Sequence, residues 1–357
     1  MTKSLIIPVA GKSSRYPGMR PKWLLTMPDG KLMIEKSVEL LDLNKFSKII
    51  VVALREHVVK FTSSKILLKN LKKNFLGKVK LIQLNKETTC QAETVLQGII
   101  KSKINGGFLI KDVDNIFSQK IDNKNKNQIT TINSKKIDLI DAKSKSYIDF
   151  NKMGKVTNIV EKKVISDFFC SGAYEFRSTK EFVLYAKKCL KISKDVYISD
   201  IIYSMLLDNK YFSFTEGSDY IDWGTLREFR NFHKKHFTIF CDFDGCLVEN
   251  SSKFAKKPYS IKPININIQC IQKLQKIISL ELIITTSRPY TQKKQILNFL
   301  KKNNINYKFV ITDLMHSKRI LINDFANSNP YPSAIAVNIS RNNTELSSIL
   351  ESIVYND

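Results

Sequence analysis

Two clusters of residues suited to phosphate chemistry lie far apart in this 357-residue chain. The first is Ala10-Gly11-Lys12-Ser13-Ser14-Arg15, which follows an apolar run at residues 5–9 and precedes Lys22. Gly11 permits a sharp turn close to a phosphate, and the serine hydroxyls and backbone N–H groups can bind its oxygens. Arg15 and Lys22 add positive charge. The spacing is not that of a P-loop, so the motif predicts a phosphate-binding loop after a strand.

The second cluster is Asp242-Phe243-Asp244-Gly245, which ends an apolar run at residues 237–241. Residues two apart in a strand face the same side, so Asp242 and Asp244 can reach one phosphate. One aspartate can attack phosphorus while the other transfers protons. Mg²⁺ would offset the negative charge of these carboxylates beside a phosphate. Alone, the pattern is also typical of a simple turn at a strand end.

The elements that must position these clusters alternate between short apolar runs and helical stretches. Apolar runs at residues 5–9, 49–53, 79–84 and 108–110 predict buried strands of a parallel α/β sheet. Residues 146–160 predict a hairpin with Gly154 in its turn. The polar stretch at residues 118–136 predicts a surface loop.

A new strand at Phe237 places a domain boundary near residue 235. We therefore predict two doubly wound α/β domains, residues 1–234 and 235–357. In the second domain we expect five strands and three helices. The strands are expected at 237–242, 280–285, 307–311, 319–323 and 334–338, and the helices at 265–278, 290–302 and the C-terminus.

The formal net charge of +25 permits nucleic-acid binding as one reading. The lysines are spread along the whole chain, however, and no Arg-rich block or zinc module accompanies them. We therefore favour a biased composition over a nucleic-acid interface. A basic surface would still attract nucleotides and sugar phosphates.

The six cysteines include no CxxC pair, which favours reduced thiols in a cytoplasmic protein. No segment approaches the roughly 20 apolar residues of a membrane span, so a membrane-spanning protein is not expected. The oligomeric state is left open, with a homo-oligomer as one alternative.

Five segments in order resemble the motifs of sugar-phosphate nucleotidyltransferases, over residues 3–230 approximately. They are the first loop with Arg20-Pro21-Lys22, Gln91-Ala92-Glu93-Thr94, Asp112-Val113-Asp114, Glu161-Lys162 with Gly172-Ala173-Tyr174, and Asp222-Trp223-Gly224-Thr225. The first loop has less glycine than the family usually carries. The resemblance implies a Rossmann-like domain that binds a nucleoside triphosphate and a sugar or polyol phosphate.

The resemblance also implies roles for individual residues. Arg15 and Lys22 would act on the triphosphate, and the nucleotide would contact residues 10–15, Gln91 and Thr94. The acceptor phosphate would meet Lys162, Gly172 and Tyr174. Mg²⁺ would bind Asp222 together with Asp114 or Asp112, a choice that the sequence leaves open.

The second cluster, with later residues, resembles the haloacid dehalogenase superfamily of phosphatases over residues 237–340. Asp242 matches the nucleophile and Asp244 the acid/base. Thr286 and Ser287 match the phosphate-binding segment, Lys318 the phosphate-binding lysine, and Asp324 the metal-anchoring acid. The resemblance implies a Mg²⁺ site at Asp242, Asp244 and Asp324, and the short spacings leave no room for a large cap domain.

The resulting hypothesis is a bifunctional enzyme for surface or capsular polysaccharide precursors. It would transfer a nucleotidyl group, with CTP slightly favoured over UTP, dTTP or GTP, and would hydrolyse a phosphate monoester. The alternatives are a phosphatase with a regulatory nucleotide-binding domain, a phosphatase domain that completes the transferase site, and a non-enzymatic basic binding protein.

Overall fold

The computed structural model describes residues 3–137, 141–324 and 333–356, and the chain divides into two compact units, Met1–Glu228 and Phe229–Asp357. Within the described residues, no helix combines the length and apolar character needed to cross a membrane.

The described part of the N-terminal unit contains eleven strands, and the last helix that begins in this unit ends beyond its boundary. The strands are β1 (Lys3–Val9), β2 (Phe46–Leu54), β3 (Val79–Leu84), β4 (Phe108–Lys111), β5 (Asn115–Ser118), β6 (Gln128–Asn133), β7 (Ser146–Phe150), β8 (Val156–Glu161), β9 (Phe168–Phe176), β10 (Ser213–Glu216) and β11 (Ser218–Asp222). The helices are α1 (Met33–Lys36), α2 (Arg55–Phe61), α3 (Ser64–Asn74), α4 (Gln91–Ser102), α5 (Thr179–Ile192), α6 (Ile198–Leu207) and α7 (Leu226–His233).

The main sheet has the strand order β10-β6-β9-β4-β1-β2-β3, with β7 and β8 attached beside β9. Strands β3, β2, β1 and β4 are parallel, whereas β9 runs antiparallel to β4 and β6. Successive side chains of β1 enter different cores, since Leu5 and Ile7 pack in one cluster and Ile6 in the other. Burial on both faces explains the continuous apolar run that predicts this strand.

Two sequence predictions in this unit have clear outcomes. The hairpin at 146–160 is confirmed, because β7 and β8 pair antiparallel and Gly154 has φ of +75°. The surface loop at 118–136 is wrong in part, because this stretch contains β6, which lies between β10 and β9 in the sheet. Ile129 and Ile132 bury their side chains there, and the surrounding Lys and Asn residues hid the short apolar pattern.

The C-terminal unit is smaller and has a three-stranded parallel sheet of order β12-β13-β14. Its strands are β12 (His236–Asp242), β13 (Ser279–Thr285) and β14 (Phe309–Ile311), and its helices are α8 (Asn265–Ile277), α9 (Lys293–Lys302) and α10 (Leu346–Asn356). Apolar side chains from the strands and helices, including Leu282, Ile271 and Leu300, form one core.

The predicted strands at 319–323 and 334–338 are wrong. Residues 319–324 and 333–338 have irregular backbone, and the intervening residues 325–332 lie outside the described residues. Ile320 and Ile322 are 85% and 90% exposed. An apolar, β-branched run predicts a strand only when a neighbouring strand and a core receive it, and these side chains meet neither.

A buried ion pair supports the amino end of β1. The Lys3 ammonium lies 2.5 Å from the Glu175 carboxylate, and both side chains are almost fully buried. Burial raises the pKa of Glu175, and Lys3 opposes that rise. Removal of one partner from such a pair leaves an uncompensated charge in the protein interior.

We expect Lys3→Met to lower the free energy of unfolding by about 3–5 kcal/mol, because Glu175 loses its counter-charge. The double change Lys3→Met/Glu175→Leu should recover only part of that loss, because the Lys124 carbonyl and the Lys126 N–H still lose their partners. Urea denaturation of the full chain measures both. Lys136→Met is the control, since Lys136 pairs with Glu216 at the surface and its loss should cost less than about 1 kcal/mol. Equal losses in the free energy of unfolding for Lys3→Met and Lys136→Met would contradict the conclusion that the Lys3–Glu175 pair is buried and stabilising.

Candidate active site

The loop after β1 turns away from the sheet at Ser13, which has a φ of +54°. The Ser13 hydroxyl accepts a hydrogen bond of 3.1 Å from the backbone N–H of Lys22, so the two ends of the loop are tied together. Lys12 and Ser14 are exposed, and Lys12 lies 3.2 Å from Glu87. A Cβ placed on Gly11 would meet no protein atom within 4 Å. The loop therefore offers open space at the carboxyl end of β1.

Asp114 receives the positive side chains of this loop. The Lys22 ammonium lies 2.6 Å from the Asp114 carboxylate, and the Arg15 guanidinium lies 3.9 Å from it. Burial acts to raise the pKa of Asp114, but the charges of Lys22 and Arg15 outweigh it and hold the pKa well below its usual range. Asp114 is therefore a carboxylate at neutral pH.

Asp222 reaches the same place through the antiparallel pairing of β11 with β5, in which Asp222 lies opposite Asn115. The backbone N–H of Trp223 donates to the carbonyl oxygen of Asp114 at 2.7 Å. One Asp222 carboxylate oxygen accepts from the N–H of Gly224 at 3.0 Å, and the other contacts the Lys145 ammonium. Two carboxylates that are 108 residues apart (222 − 114) thus converge, each with its own lysine.

Lys145 was not singled out from the sequence. Its side chain is 12% exposed, and its ammonium also donates to the Tyr220 hydroxyl at 3.0 Å. It lies just before β7, where no local pattern marks it as functional. Only the long-range pairing of β11 with β5 brings its partner Asp222 into reach, so no signal in the sequence could have found it.

Asp112 has a different environment from Asp114. Its carboxylate accepts a hydrogen bond from the Gln91 side chain, and its backbone N–H donates to the Gly172 carbonyl at 2.8 Å. Burial and the nearby Asp114 raise the pKa of Asp112 to about 6. Asp112 thus acts within the protein as an acceptor for Gln91, while Asp114 faces the cationic side chains.

Lys111 is a second buried cation that the sequence did not single out. Its ammonium donates to the Asp112 carbonyl at 2.6 Å and to the Asn115 side chain at 2.6 Å. Burial lowers the pKa of Lys111 to about 7, although the nearby carboxylates act to raise it. This side chain fixes the turn between β4 and β5, which carries Asp112 and Asp114.

The predicted acceptor residues are Lys162, which directly follows β8, and Gly172 and Tyr174, which lie on β9. Lys162 has a φ of +58°, and its ammonium donates to the Tyr197 hydroxyl at 2.5 Å. Its backbone N–H donates to the Lys145 carbonyl at 2.9 Å, which links it to the Asp222 environment. Tyr174 and Thr94 are buried, and the Thr94 hydroxyl lies 2.6 Å from that of Thr88.

The donor set at Asp114 and Asp222 fits Mg²⁺. This ion prefers oxygen ligands and is commonly held by one or two carboxylates, with phosphates and water in the remaining positions. In the ranges described by the structure, no three His, Cys, Asp or Glu residues form a group able to hold a metal ion. A fully protein-made metal cage is therefore not present among those residues.

The C-terminal unit carries the second cluster at the carboxyl end of β12. The Thr286 hydroxyl donates to the Asp244 carboxylate at 3.0 Å, so the predicted Thr286 and Asp244 do meet. Asp242 is exposed at the strand end, while burial of its carboxyl group and the nearby Asp244 raise its pKa. Ser287 is exposed next to Thr286.

Arg288 is the residue of this site that the sequence interpretation missed. It is 2% exposed and donates to both Asp244 oxygens, with the shortest contact at 2.6 Å. Its remaining N–H groups donate to the carbonyls of Tyr259 and Ser260. Its position two residues after Thr286 is the sequence feature that could have identified it as part of this site.

Lys318 and Asp324 lie in the irregular, exposed stretch after β14. In the described parts of the chain, neither makes a side-chain hydrogen bond or ion pair with Asp242 or Asp244. Arg319 acts to lower the pKa of Asp242, so this arginine supplies positive charge near the carboxylate. The structure thus brings Asp242, Asp244 and Thr286 together but does not join Lys318 and Asp324 to them.

Solved structures provide a comparison for the N-terminal unit. A nucleoside-diphosphate-sugar pyrophosphorylase from Vibrio cholerae RC9 matches 63% of this chain and 97% of its own, with a TM-score of 0.54 and 17% identity. An inositol-1-phosphate CTP transferase from T. maritima matches 64% and 91%, with a TM-score of 0.51 and 12% identity. The N-terminal unit has the sugar-phosphate nucleotidyltransferase fold.

A putative glucose-1-phosphate thymidylyltransferase from Bacillus anthracis also matches 63% of this chain and 91% of its own, with a TM-score of 0.50 and 19% identity. These similarities establish the fold of the N-terminal part. The chain matches no protein-family model and no curated protein sequence.

We expect Gly172→Ala to destabilise the protein by about 1–3 kcal/mol more than Gly154→Ala, because a new Cβ overpacks the site. Both glycines have a positive φ, so both changes share the backbone cost. At position 172 the Cβ would lie 2.6 Å from an Asp112 oxygen, whereas at position 154 it would meet nothing within 4 Å. Urea denaturation measures the difference, and equal losses would contradict the close approach of Asp112.

Proposed function

We propose that the N-terminal unit transfers a nucleotidyl group from a nucleoside triphosphate to the phosphate of a sugar or polyol phosphate. The observation that carries this proposal is the convergence of Asp114 and Asp222 across the β5–β11 pairing, with Lys22 and Lys145 against them. A phosphate oxygen of the acceptor attacks the α-phosphorus. The bond from that phosphorus to the oxygen bridging to the β-phosphate breaks, and pyrophosphate leaves with the electron pair.

The cationic side chains have a direct role in this reaction, because both reactants are anions. Lys22 and Arg15 approach from the loop after β1, where they can bind the triphosphate and stabilise the charge that develops on pyrophosphate. The open space at Gly11 lets phosphate oxygens approach the loop backbone. Positioning and electrostatic stabilisation provide most of the catalysis in such transfers.

Asp114 and Asp222 are the residues that we assign to Mg²⁺ in this unit. Asp114 is preferred over Asp112 because its carboxylate faces Lys22 and Arg15 of the loop after β1, whereas the Asp112 carboxylate faces Gln91. The Asp114 carbonyl also accepts from the N–H of Trp223, the residue after Asp222. Magnesium bound there would neutralise phosphate charge during the transfer. Lys145 holds one oxygen of Asp222 and thereby sets the direction of its carboxylate.

The acceptor phosphate is assigned to Lys162. The Tyr197 ring lies 4.5 Å from the Lys162 ammonium and orients it from one side. The link from Lys162 to the Lys145 carbonyl connects the acceptor lysine with the Asp222 carboxylate. CTP with a sugar or polyol phosphate, in the synthesis of surface polysaccharide precursors, is the pair to test first.

For the C-terminal unit we propose hydrolysis of a phosphate monoester. Support comes from Asp242 and Asp244 at the end of β12, with Thr286 in hydrogen-bond contact with Asp244. An Asp242 oxygen would attack phosphorus, and the alcohol would leave with the ester electron pair and a proton from Asp244. Water would then attack the aspartyl phosphate, with Asp244 accepting its proton, to release phosphate and restore Asp242.

Arg288 would fix the Asp244 carboxylate in the direction needed for the water step, because it donates to both oxygens. A scaffold role for this unit is the alternative, and phosphate release distinguishes the two. Two alternatives remain for the N-terminal unit: a regulatory nucleotide-binding unit and a basic binding protein without enzymatic activity. Neither would release pyrophosphate, so pyrophosphate release distinguishes the transferase from both.

We expect the full chain to release pyrophosphate from at least one pair of nucleoside triphosphate and sugar or polyol phosphate, with Mg²⁺ present. Asp222→Asn should lower kcat/KM by about 100-fold or more, because a charged group that stabilises the transferred phosphates is removed. A coupled pyrophosphate assay measures the rate. Asp219→Asn is the matched control on the same strand, where Asp219 is exposed and lies at a φ of +57° that asparagine tolerates.

Full activity in Asp222→Asn would overturn the assignment of this residue. Absence of pyrophosphate release with every pair, from a chain that binds nucleoside triphosphates, would instead favour the regulatory alternative.

We expect Asp242→Asn to lower the rate of phosphate release from sugar phosphates by about 1,000-fold or more, since an amide cannot serve as the nucleophile. The measurement is inorganic phosphate release by the full chain. Glu281→Gln on β13 makes the same chemical change at an exposed position and should retain activity. Equal rates in wild type and Asp242→Asn would exclude Asp242 as the nucleophile.

A further inference from the structure

A second polar cavity of about 460 Å³ lies in the N-terminal unit, away from the residues assigned to the transfer reaction. Three lysines line it together with one acid and two amides: Lys45, Lys120, Lys126, Asp122, Asn123 and Gln128. Most of these residues belong to the segment between β5 and β6, which we call the 119–127 segment. Neither the loop after β1 nor the carboxylates Asp114 and Asp222 contribute to it.

The strand directions place this cavity at the amino ends of the strands, whereas the candidate active site lies at their carboxyl ends. Lys45 immediately precedes β2, and Gln128 is the first residue of β6, so both lie at amino ends of strands. Ala10 and Asp112 follow the carboxyl ends of β1 and β4, which run parallel to β2. Because β6 pairs antiparallel with β9, and β9 with β4, β6 shares that direction.

Hydrogen bonds to buried polar groups fix the backbone of the 119–127 segment. The Lys3 ammonium donates to the Lys124 carbonyl at 3.1 Å, and the backbone N–H of Lys126 donates to Glu175 at 3.3 Å. The buried Asn127 side chain accepts from the backbone N–H of Arg177 at 3.0 Å. The Lys3–Glu175 pair therefore fixes the backbone that presents the cavity lysines.

The charge in the cavity is unbalanced. Lys126 lies 3.4 Å from Asp122, a long and solvent-exposed contact that provides little stabilisation. Within the described residues, Lys45 and Lys120 form no ion pair. Three lysines against one aspartate leave a formal excess of two positive charges (3 − 1). The Asn123 side chain can add directional donors, and the Gln128 amide has a second N–H beside the one that donates to Ser213 at 3.4 Å.

We propose that this cavity, the distal anion site, binds a small phosphate-bearing molecule independently of the transfer reaction. Its volume lies within the range of about 300–1,000 Å³ typical of small-molecule sites. The three ammonium groups supply attraction for phosphate, and the amides and Thr215 supply hydrogen bonds to the rest of the molecule. The alternative is that these lysines are an ordinary part of a generally basic surface and bind no particular ligand. The experiment distinguishes the two by showing where along the chain an added anion binds.

The test is hydrogen-exchange mass spectrometry of the full chain, titrated with inorganic pyrophosphate. Binding at the distal anion site should slow exchange in peptides that cover residues 119–128. Pyrophosphate in the candidate active site should instead protect peptides that cover residues 11–22. The distal site can therefore fail while the proposed transfer reaction stands, and the reverse also holds.

The triple variant Lys45→Gln/Lys120→Gln/Lys126→Gln should weaken the pyrophosphate affinity measured at residues 119–128 by about tenfold or more, because three charged donors are lost. The control is Lys65→Gln/Lys69→Gln/Lys72→Gln, which removes the same charge from exposed positions of α3. It should change that affinity by less than about twofold, as expected for distant, screened charges. Equal weakening by both triple variants, or no protection at residues 119–128 in the wild type, would overturn the proposal.

Asp122→Asn provides a test with the opposite sign, which a folding defect cannot imitate. Asparagine retains an oxygen for the Lys124 backbone N–H, which donates to Asp122 at 3.2 Å. It removes the one acidic charge of the cavity and frees Lys126. Pyrophosphate should bind about threefold more tightly at residues 119–128, as expected for loss of one like charge at a partly exposed site. Unchanged or weaker binding would count against the site.

Discussion

The antiparallel pairing of β5 with β11 is the interaction on which the candidate active site depends. It joins the turn after β4 to a strand more than a hundred residues later, and it sets Asp222 beside Asp114. Neighbouring carboxylates repel one another, and burial adds to the cost. Two lysines from other segments compensate these charges, since Lys22 pairs with Asp114 and Lys145 pairs with Asp222. The two carboxylates can therefore be buried near one another only because these cations are placed against them.

Strands with continuous apolar runs could be predicted from the sequence because they are buried on both faces, as β1, β2 and β4 are. The site motifs could be predicted where they directly follow such strands, as the loop after β1 and Asp112-Val113-Asp114 do. Lys145 could not, because its role depends on a partner 77 residues away (222 − 145). Strand β6 was missed because its short apolar pattern lies among lysines and asparagines.

The C-terminal unit illustrates the opposite error. The run Arg319-Ile320-Leu321-Ile322 has the composition of a buried strand, and yet it lies exposed beside a sheet of three strands. The composition of a segment shows that it can form a strand, but it forms one only where a neighbouring strand is present to pair with it. Arg288 shows the same dependence on context, since an arginine after a Thr-Ser pair is unremarkable until burial places it against Asp244.

The lysine–aspartate pairs of the N-terminal unit have a thermodynamic consequence. Lys22 and Lys145 already serve as counterions to Asp114 and Asp222. Under the proposed function, an entering magnesium–triphosphate complex would exchange partners with them: the carboxylates would hold the metal, and the ammonium groups would hold the phosphates. Because the triphosphate carries more negative charge than Mg²⁺ offsets, the entering complex would add net negative charge to a site whose ion pairs were already balanced. Added salt should therefore screen the long-range approach of the nucleotide, set by the net charge of +25, far more than it screens the contacts of the bound state.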